Sequence, residues 1–256
     1  MRPAKPKGKV VSISGHPVEH YRSGPKSFAP PPEALGADWI ARHIERCLGS
    51  IASVFHELLS DQVHLDVHWV KPTGARPYHF LVTSGMSDRP MPVPAALEAP
   101  RHIELVVTLP ERWAIGDAAL DNENWYWPIR QLMTLARFPH QYDTWLGEGH
   151  TVTNGDPAQP LAPSTRLSGA ILLPPQHTPD GFDQLRVGGK AIRFLAVVPL
   201  YDEEMTLKMR AGARRAARAL PQAPRDRRRR ANAAECRPPH GRVIDFGTLG
   251  RRARRS

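Results

Sequence analysis

The residues best suited to chemistry are histidines and an acid between positions 56 and 68. His64, Asp66 and His68 alternate with apolar residues, so they share one face of a predicted half-buried strand. Imidazole nitrogens and carboxylate oxygens bind zinc and manganese. One candidate function, kept below as the alternative to a binding role, is therefore a metal-dependent hydrolase using His56, His64, Asp66 and His68. The zincin spacing, however, requires a helix, and strand alternation explains these residues without an ion. We therefore predict no metal site here.

A serine nucleophile is the second candidate, within the sequence TSGMSD. Ser87 lacks the small residue two positions later that the Gly-x-Ser-x-Gly elbow requires. The pattern favours a turn in which Gly85 takes a positive φ and Ser87 or Asp88 bonds the backbone. The glycine pair in VGGK, residues 187–190, predicts a hairpin turn and not a phosphate-binding loop. The residues therefore indicate no catalytic group and no cofactor.

The elements that would position these residues follow an α+β pattern. Apolar residues from Asp38 to Leu59 recur at helical steps, and Gly49 is a point where that helix can divide. A second helix is predicted at 122–138, with Pro128 in its first turn, and a third from Asp202. Alternating or apolar runs predict strands at 61–70, 78–84, 101–109, 169–173 and 191–200. Strands in clusters between helices predict one α+β domain with a mixed, mainly antiparallel sheet packed by helices.

Positive charge is concentrated at the C-terminus. The 256 residues carry a formal net charge of +10, yet 14 arginines and only three acids follow residue 211. The preceding body is therefore close to neutral, which does not favour specific nucleic-acid binding. We predict an irregular N-terminal arm at 1–36, a folded domain at 37–211 and a disordered Arg/Ala/Pro-rich tail at 212–256.

The expected compartment is the cytoplasm. The chain has two cysteines, Cys47 and Cys236, and no apolar signal segment follows its basic N-terminus. No apolar run approaches the roughly 18 residues that a membrane span needs. We therefore expect a reducing compartment and no membrane span.

Aromatic residues are dense between positions 125 and 145. Trp125 and Trp127 are two positions apart on a predicted helix, so one face cannot bury both. Two interpretations stay open: exposed aromatics that form a binding surface, or aromatics covered by the long loop that follows.

Five blocks of the sequence resemble the Suppressor of fused domain family in its bacterial form. They are FHELLSDQVHLDVHWVKPT, PYHFLVTSGMSDRPMPVP, IELVVTLPERW, NWYWPIRQLMTLARFPHQYDTWLGEGHTVTNGDP and FLAVVPLYDEEMTLKM, in that order from about Phe55 to Met209. The resemblance implies a non-enzymatic domain that binds another protein. The animal member of the family restrains a transcription factor of the Hedgehog pathway, and bacterial relatives are inferred to be immunity proteins that neutralise polymorphic toxins.

This resemblance directs attention to the junction from Pro77 to Pro94 as a stiff docking edge. Its alternate prolines cannot donate to a sheet ladder, and its methionines are adaptable contacts, although a methionine tucked beneath the loop is the alternative. The predicted partner-binding residues are Met86, Asp88, Met91, Trp125, Trp127, Tyr142 and Trp145. The partner would be another protein, possibly a toxin, and the oligomeric state stays open.

The sequence departs from the family after residue 211. The family continues as an amphipathic helix, whereas this chain becomes rich in Arg, Ala and Pro. Translation in a shifted frame of a GC-rich gene would give such a change. We therefore expect residues from about Gly212 onward not to be family sequence.

Overall fold

The computed structural model describes residues 10–11, 17–18, 36–56 and 64–211. Two short strands, β1 (Val10–Val11) and β2 (Pro17–Val18), pair antiparallel and form a separate ladder. Most of the predicted arm and the whole predicted tail lie outside the described residues. The disorder predicted for the tail therefore stays a prediction.

An eight-stranded sheet forms the centre of the domain. Its strands in chain order are β3 (Ile51–His56), β4 (Asp66–Val70), β5 (Tyr78–Ser84), β6 (His102–Pro110), β7 (Thr151–Thr153), β8 (Leu167–Leu173), β9 (Gln184–Val187) and β10 (Lys190–Tyr201). Their spatial order is β3-β4-β5-β6-β10-β8-β7, with β9 also paired to β10. Only the pairing of β6 with β10 is parallel among the described strands. The predicted mixed, mainly antiparallel sheet is confirmed.

Two long helices pack on opposite faces of this sheet. The helices are α1 (Ala37–Leu48), α2 (Asp117–Leu120), α3 (Glu123–Tyr142) and α4 (Asp202–Ala211). Successive strand residues point to opposite faces, so Leu105 and Val107 join the core beneath α3, while Val106 joins the core beneath α1. This arrangement confirms the α+β class. None of the helices within the described ranges combines the length and the apolar character that spanning a bilayer requires.

The helix predicted from Asp38 to Leu59 is wrong at residues 51–56, and residues 57–59 lie outside the described part of the chain. Helix α1 ends at Leu48, because Gly49 takes a φ of 101° that turns the chain out of the helix. Residues Ile51–His56 then form β3, which pairs antiparallel with β4. The apolar residues before Gly49 belong to α1 and those at 51–56 belong to β3, although their spacing looked like that of one helix.

Two smaller expectations are corrected and one is confirmed. Strand β4 is buried on both faces and not half-buried, because β3 and β5 flank it and the α1 core covers its second face. Helix α3 begins at Glu123, so Pro128 lies in its second turn. The hairpin predicted at VGGK joins β9 to β10, with positive φ at Gly188 and Gly189.

Candidate functional site

The turn after β5 has a backbone that only glycine allows. Gly85 has a φ of 99° and leads into a single 3₁₀ turn, Met86–Asp88. A Cβ atom added at Gly85 would lie 1.8 Å from the carbonyl oxygen of His64. The turn predicted from TSGMSD is therefore confirmed, and it packs directly against the start of β4.

A buried carboxylate holds this turn from beneath. Oε1 of Glu104 accepts hydrogen bonds from the backbone N–H of Ser87 at 2.9 Å and from its hydroxyl at 2.7 Å. Oε2 accepts from the hydroxyl of Thr83 at 2.6 Å. Burial raises the pKa of Glu104 to about 7, and these hydrogen bonds oppose that rise only in part. The neutral and charged forms of Glu104 are therefore close in energy near neutral pH.

Two histidines bind the carbonyl groups of the same turn. Nδ1 of His102 lies 2.7 Å from the carbonyl oxygen of Ser87, and Nε2 of His140 lies 2.9 Å from that of Met86. A carbonyl oxygen only accepts, so each ring nitrogen donates. Burial lowers the pKa of both histidines, and the bonded carbonyl groups oppose this change. His140 thereby ties α3 to the turn.

Asp88 links the end of the turn to α1 and β10. An oxygen of its carboxylate lies so close to Gly36 that a Cβ there would be 2.7 Å away, and the Gly36 backbone donates a hydrogen bond to it. Lys190 donates from Nζ to the Asp88 carbonyl oxygen at 3.4 Å. Burial raises the pKa of Asp88, and the charge of Lys190 is the largest opposing influence. Asp88 is half-buried and has a structural role.

The two methionines of the predicted contact set are buried. Met86 and Met91 are each 1% exposed and belong to the core beneath α3. The Sδ atom of Met91 accepts the backbone N–H of Leu146 at 3.4 Å. Of the two interpretations offered for Met86, the methionine tucked beneath its loop is the one observed. Neither side chain reaches the surface as a partner contact would require.

Three tryptophans pack together at the start of α3. Trp127 is 4% exposed, whereas Trp125 is 37% exposed, as their spacing on a helix predicted. Trp113 lies between them, with ring centroids 5.2 Å from Trp125 and 5.8 Å from Trp127, both in edge-to-face geometry. Its indole N–H donates to the carbonyl oxygen of Trp125 at 3.0 Å. Trp125 is therefore an exposed aromatic on a rigid base.

The remaining predicted aromatics lie at the other end of α3. Tyr142 packs on Phe138 at 4.9 Å and Trp145 packs on His150 at 4.3 Å between ring centroids. Both Tyr142 and Trp145 are half-buried. About 25 Å of helix separates this end from Trp125.

The seven predicted contacts therefore fall into two groups. Trp125 and Trp127 lie at the start of α3. The other group lies beside the clamped turn at its end: Met86, Asp88, Met91, Tyr142 and Trp145. The sequence did not single out the clamp residue Glu104, although an acid inside a strand that is apolar on both faces is a usable signal.

Three of the four residues of the hydrolase alternative converge. Nδ1 of His56 lies 2.7 Å and Nε2 of His64 lies 3.3 Å from Oδ1 of Asp66. All three ligand atoms lie within 4.8 Å of one another. His68 points elsewhere, since its Nε2 bonds the hydroxyl of Ser84 at 2.8 Å, and burial lowers its pKa. The four residues do not form one ligand sphere.

The fold and the clamped turn place this chain among α+β domains with helices on both faces of one sheet. Residues 61–228 match the sequence model of the family described as Suppressor of fused protein (SUFU). The chain belongs to the Suppressor of fused family. The matched range begins inside the predicted domain and extends past residue 211, where that domain was predicted to end. A search of curated proteins finds no match.

Solved structures with this fold include members of the same family. The structure of the Sufu–Fu complex has a TM-score of 0.51 at 16% identity, covering 76% of this chain and 86% of that one. Drosophila Suppressor of Fused has a TM-score of 0.50 at 14% identity, over 75% of this chain and 48% of its own. A SUFU homologue from Neisseria gonorrhoeae FA 1090 has a TM-score of 0.49 at 15% identity, with coverages of 71% and 86%. In the first of these structures Sufu is in complex with Fu.

Proposed function

We propose that this protein is a non-enzymatic binding domain that recognises another protein. Membership of the Suppressor of fused family supports this proposal, and so does the complex formed by the family member Sufu with Fu. The site residues also favour binding, because Glu104, His102 and His140 are all engaged in holding a turn. Their polar atoms are occupied by bonds that hold a buried turn in place.

The observation that carries the proposal is the exposed Trp125 on its rigid tryptophan base. Tryptophan is enriched among the residues that dominate binding energy, because it buries a large area with few rotatable bonds. The Trp113 N–H bonds the backbone carbonyl of Trp125 and so fixes Trp113, whose ring packs against that of Trp125 and limits the freedom that Trp125 has to lose on binding. Leu120, at the end of α2, is 36% exposed and lies just before α3. These residues give an apolar centre to a surface of about 800 Å² per partner.

The specific partner that we propose is a toxin of a polymorphic toxin system, met in the cytoplasm. This part of the proposal rests on the resemblance to bacterial relatives that are inferred to be immunity proteins. In that role the protein would neutralise the toxin by covering its surface. Tyr142 and Trp145, at the far end of α3, form a second candidate contact.

The test begins with a toxin encoded beside the gene of this protein. We expect co-expression to restore growth of cells that produce the toxin, and the purified proteins to bind with a Kd measurable by calorimetry. Trp125→Ala should weaken binding by about 30-fold, which corresponds to about 2 kcal/mol. The matched control is Leu97→Ala, because Leu97 is also exposed, at 47%, but lies in the loop before β6 and not on α3.

The outcomes test separately the position of the interface, the binding role and the immunity role. Weakening by Trp125→Ala alone, with an unfolding midpoint that falls much less than that of Trp127→Ala, supports this surface. Weakening only by Tyr142→Ala or Trp145→Ala moves the interface to the other end of α3. Binding without growth rescue would reject the immunity role and keep the binding role.

A further inference from the structure

We propose that His56, His64 and Asp66 bind one divalent transition-metal ion, for which Zn²⁺ is the best match, and that this ion fastens β3 to β4 at the edge of the sheet. This inference concerns a structural ion and does not rest on the proposed partner. It revises the expectation from the sequence, in which strand alternation alone accounted for these residues.

Strand pairing brings the three ligands together. His56 and Asp66 are direct partners in the antiparallel ladder between β3 and β4, so their side chains leave the same face at neighbouring positions. His64 lies two residues before Asp66, just ahead of β4, and its Nε2 lies 3.3 Å from Oδ1 of Asp66. The three ligands therefore come from the end of β3, from the first residue of β4 and from the segment just before it, so an ion bound to them would cross-link the two strands.

The backbone of two ligands is fixed before any ion binds. The carbonyl oxygen of His64 packs so tightly against Gly85 that no side chain fits between them. Asp66 pairs with Ser84 on its other side, so β5 holds it in register. A site whose ligands are held by packing loses less entropy on binding, which favours affinity.

The distances suit a small tetrahedral ion. Zinc binds imidazole nitrogen and carboxylate oxygen at about 2.0–2.2 Å, so two of its ligand atoms lie about 3.3 Å apart. The separation of His64 Nε2 and Asp66 Oδ1 is 3.3 Å already. His56 Nδ1, at 2.7 Å from the same oxygen, donates a hydrogen bond to it, and replacing that hydrogen by an ion needs a small widening of this distance. Water would complete the coordination.

The charge at this place also favours a cation. The side chain of Asp66 is only 10% exposed, and its ion-pair partners within the described part of the chain are two histidines. An imidazole is a cation only when protonated, whereas a divalent ion always carries its charge. Two nitrogen ligands and one carboxylate favour zinc over magnesium or calcium, which prefer all-oxygen sites.

The experiment uses the full chain, freed of metal by a chelator and titrated with zinc chloride in a calorimeter. We expect one equivalent of zinc to bind, and His64→Gln and His56→Gln each to weaken that binding by at least about 100-fold. The matched control is His177→Gln, because His177 packs on Tyr78, at the opposite end of β5 from Ser84, the strand partner of Asp66. Zinc at about 100 times its Kd should also raise the unfolding midpoint by about 5–10 °C in the unaltered protein.

Circular dichroism with chelator present shows that each variant folds before titration. Hydrogen exchange tests the fastening role, since zinc should slow exchange of β3 amides in the unaltered protein and not in His64→Gln. Absence of stoichiometric binding would overturn the proposal. Equal binding by the unaltered protein and His64→Gln would also overturn it, because the zinc would then lie at other residues.

Discussion

The buried Glu104 makes a specific prediction about how stability changes with pH. The pKa of Glu104 is about 7 in the folded protein, against an ordinary value of 4.5. Folding therefore favours the protonated form, so its contribution to stability is fully present below pH 4.5 and is lost as pH rises through 7. The shift corresponds to about 3 kcal/mol, and about 2.5 kcal/mol of this is lost between pH 5 and pH 8.

The perturbation that isolates this effect is Glu104→Gln, which keeps the shape and removes the titration. The carbonyl oxygen of glutamine can still accept from Ser87. Its amide can donate to Thr83, whose hydroxyl then turns its proton toward the carbonyl oxygen of Leu105, already 3.4 Å away. The clamp therefore survives without its charge.

Urea denaturation of both proteins, at half-unit steps from pH 5 to pH 8, measures the effect. We expect the free energy of unfolding of the unaltered protein, minus that of the variant, to fall by about 2.5 kcal/mol across this range. Histidines with lowered pKa, such as His102 and His140, lose stability in the opposite direction, as pH falls, but they are present in both proteins and cancel. A difference that stays flat would refute the argument, since Glu104 would then be ionised in the fold at ordinary cost.

Two further changes test the packing of the site. Gly85→Ala should destabilise the protein by at least about 3 kcal/mol in urea denaturation, because alanine disfavours the observed φ and its Cβ would collide with the carbonyl oxygen of His64; a loss below about 1 kcal/mol would contradict this geometry. Trp127→Ala should cost about 3–5 kcal/mol and Trp125→Ala distinctly less, because only Trp127 is fully buried; equal losses would contradict the assignment of Trp125 to the surface.

Local sequence patterns correctly predicted the elements whose residue pattern fits only a strand or only a helix. The strand at Tyr78–Ser84 and the helix starting at Asp202 have the expected bounds, because a pure apolar run and an acidic first turn leave no competing interpretation. The segment Ile51–His56 failed, because three apolar residues at helical spacing also suit a short strand. Its pairing with β4 decides the outcome, and that pairing is a tertiary interaction.

The sequence predicted the turn of the candidate site, but it did not predict how deeply the residues of that turn are buried. Gly85 identified the turn, since few other residues accept that backbone. Whether Met86 faces a partner or the core depends on α3, which is distant in sequence and packs on the turn through His140. The convergence of His56 with Asp66 likewise depends on the register between two strands. Sequence spacing contains neither the packing of α3 nor this register.

The parallel pairing between β6 and β10 has a consequence for synthesis on the ribosome. Within the described sheet, the β7–β8 hairpin joins the other strands only through β10, which is the last strand made. The meander from β3 to β6 can assemble as soon as it emerges, because its pairs are neighbours in the chain. Until β10 is released, however, the edges of β6, β8 and β9 that it pairs with stay unpaired, and during that interval the nascent chain is most exposed to aggregation and to chaperones.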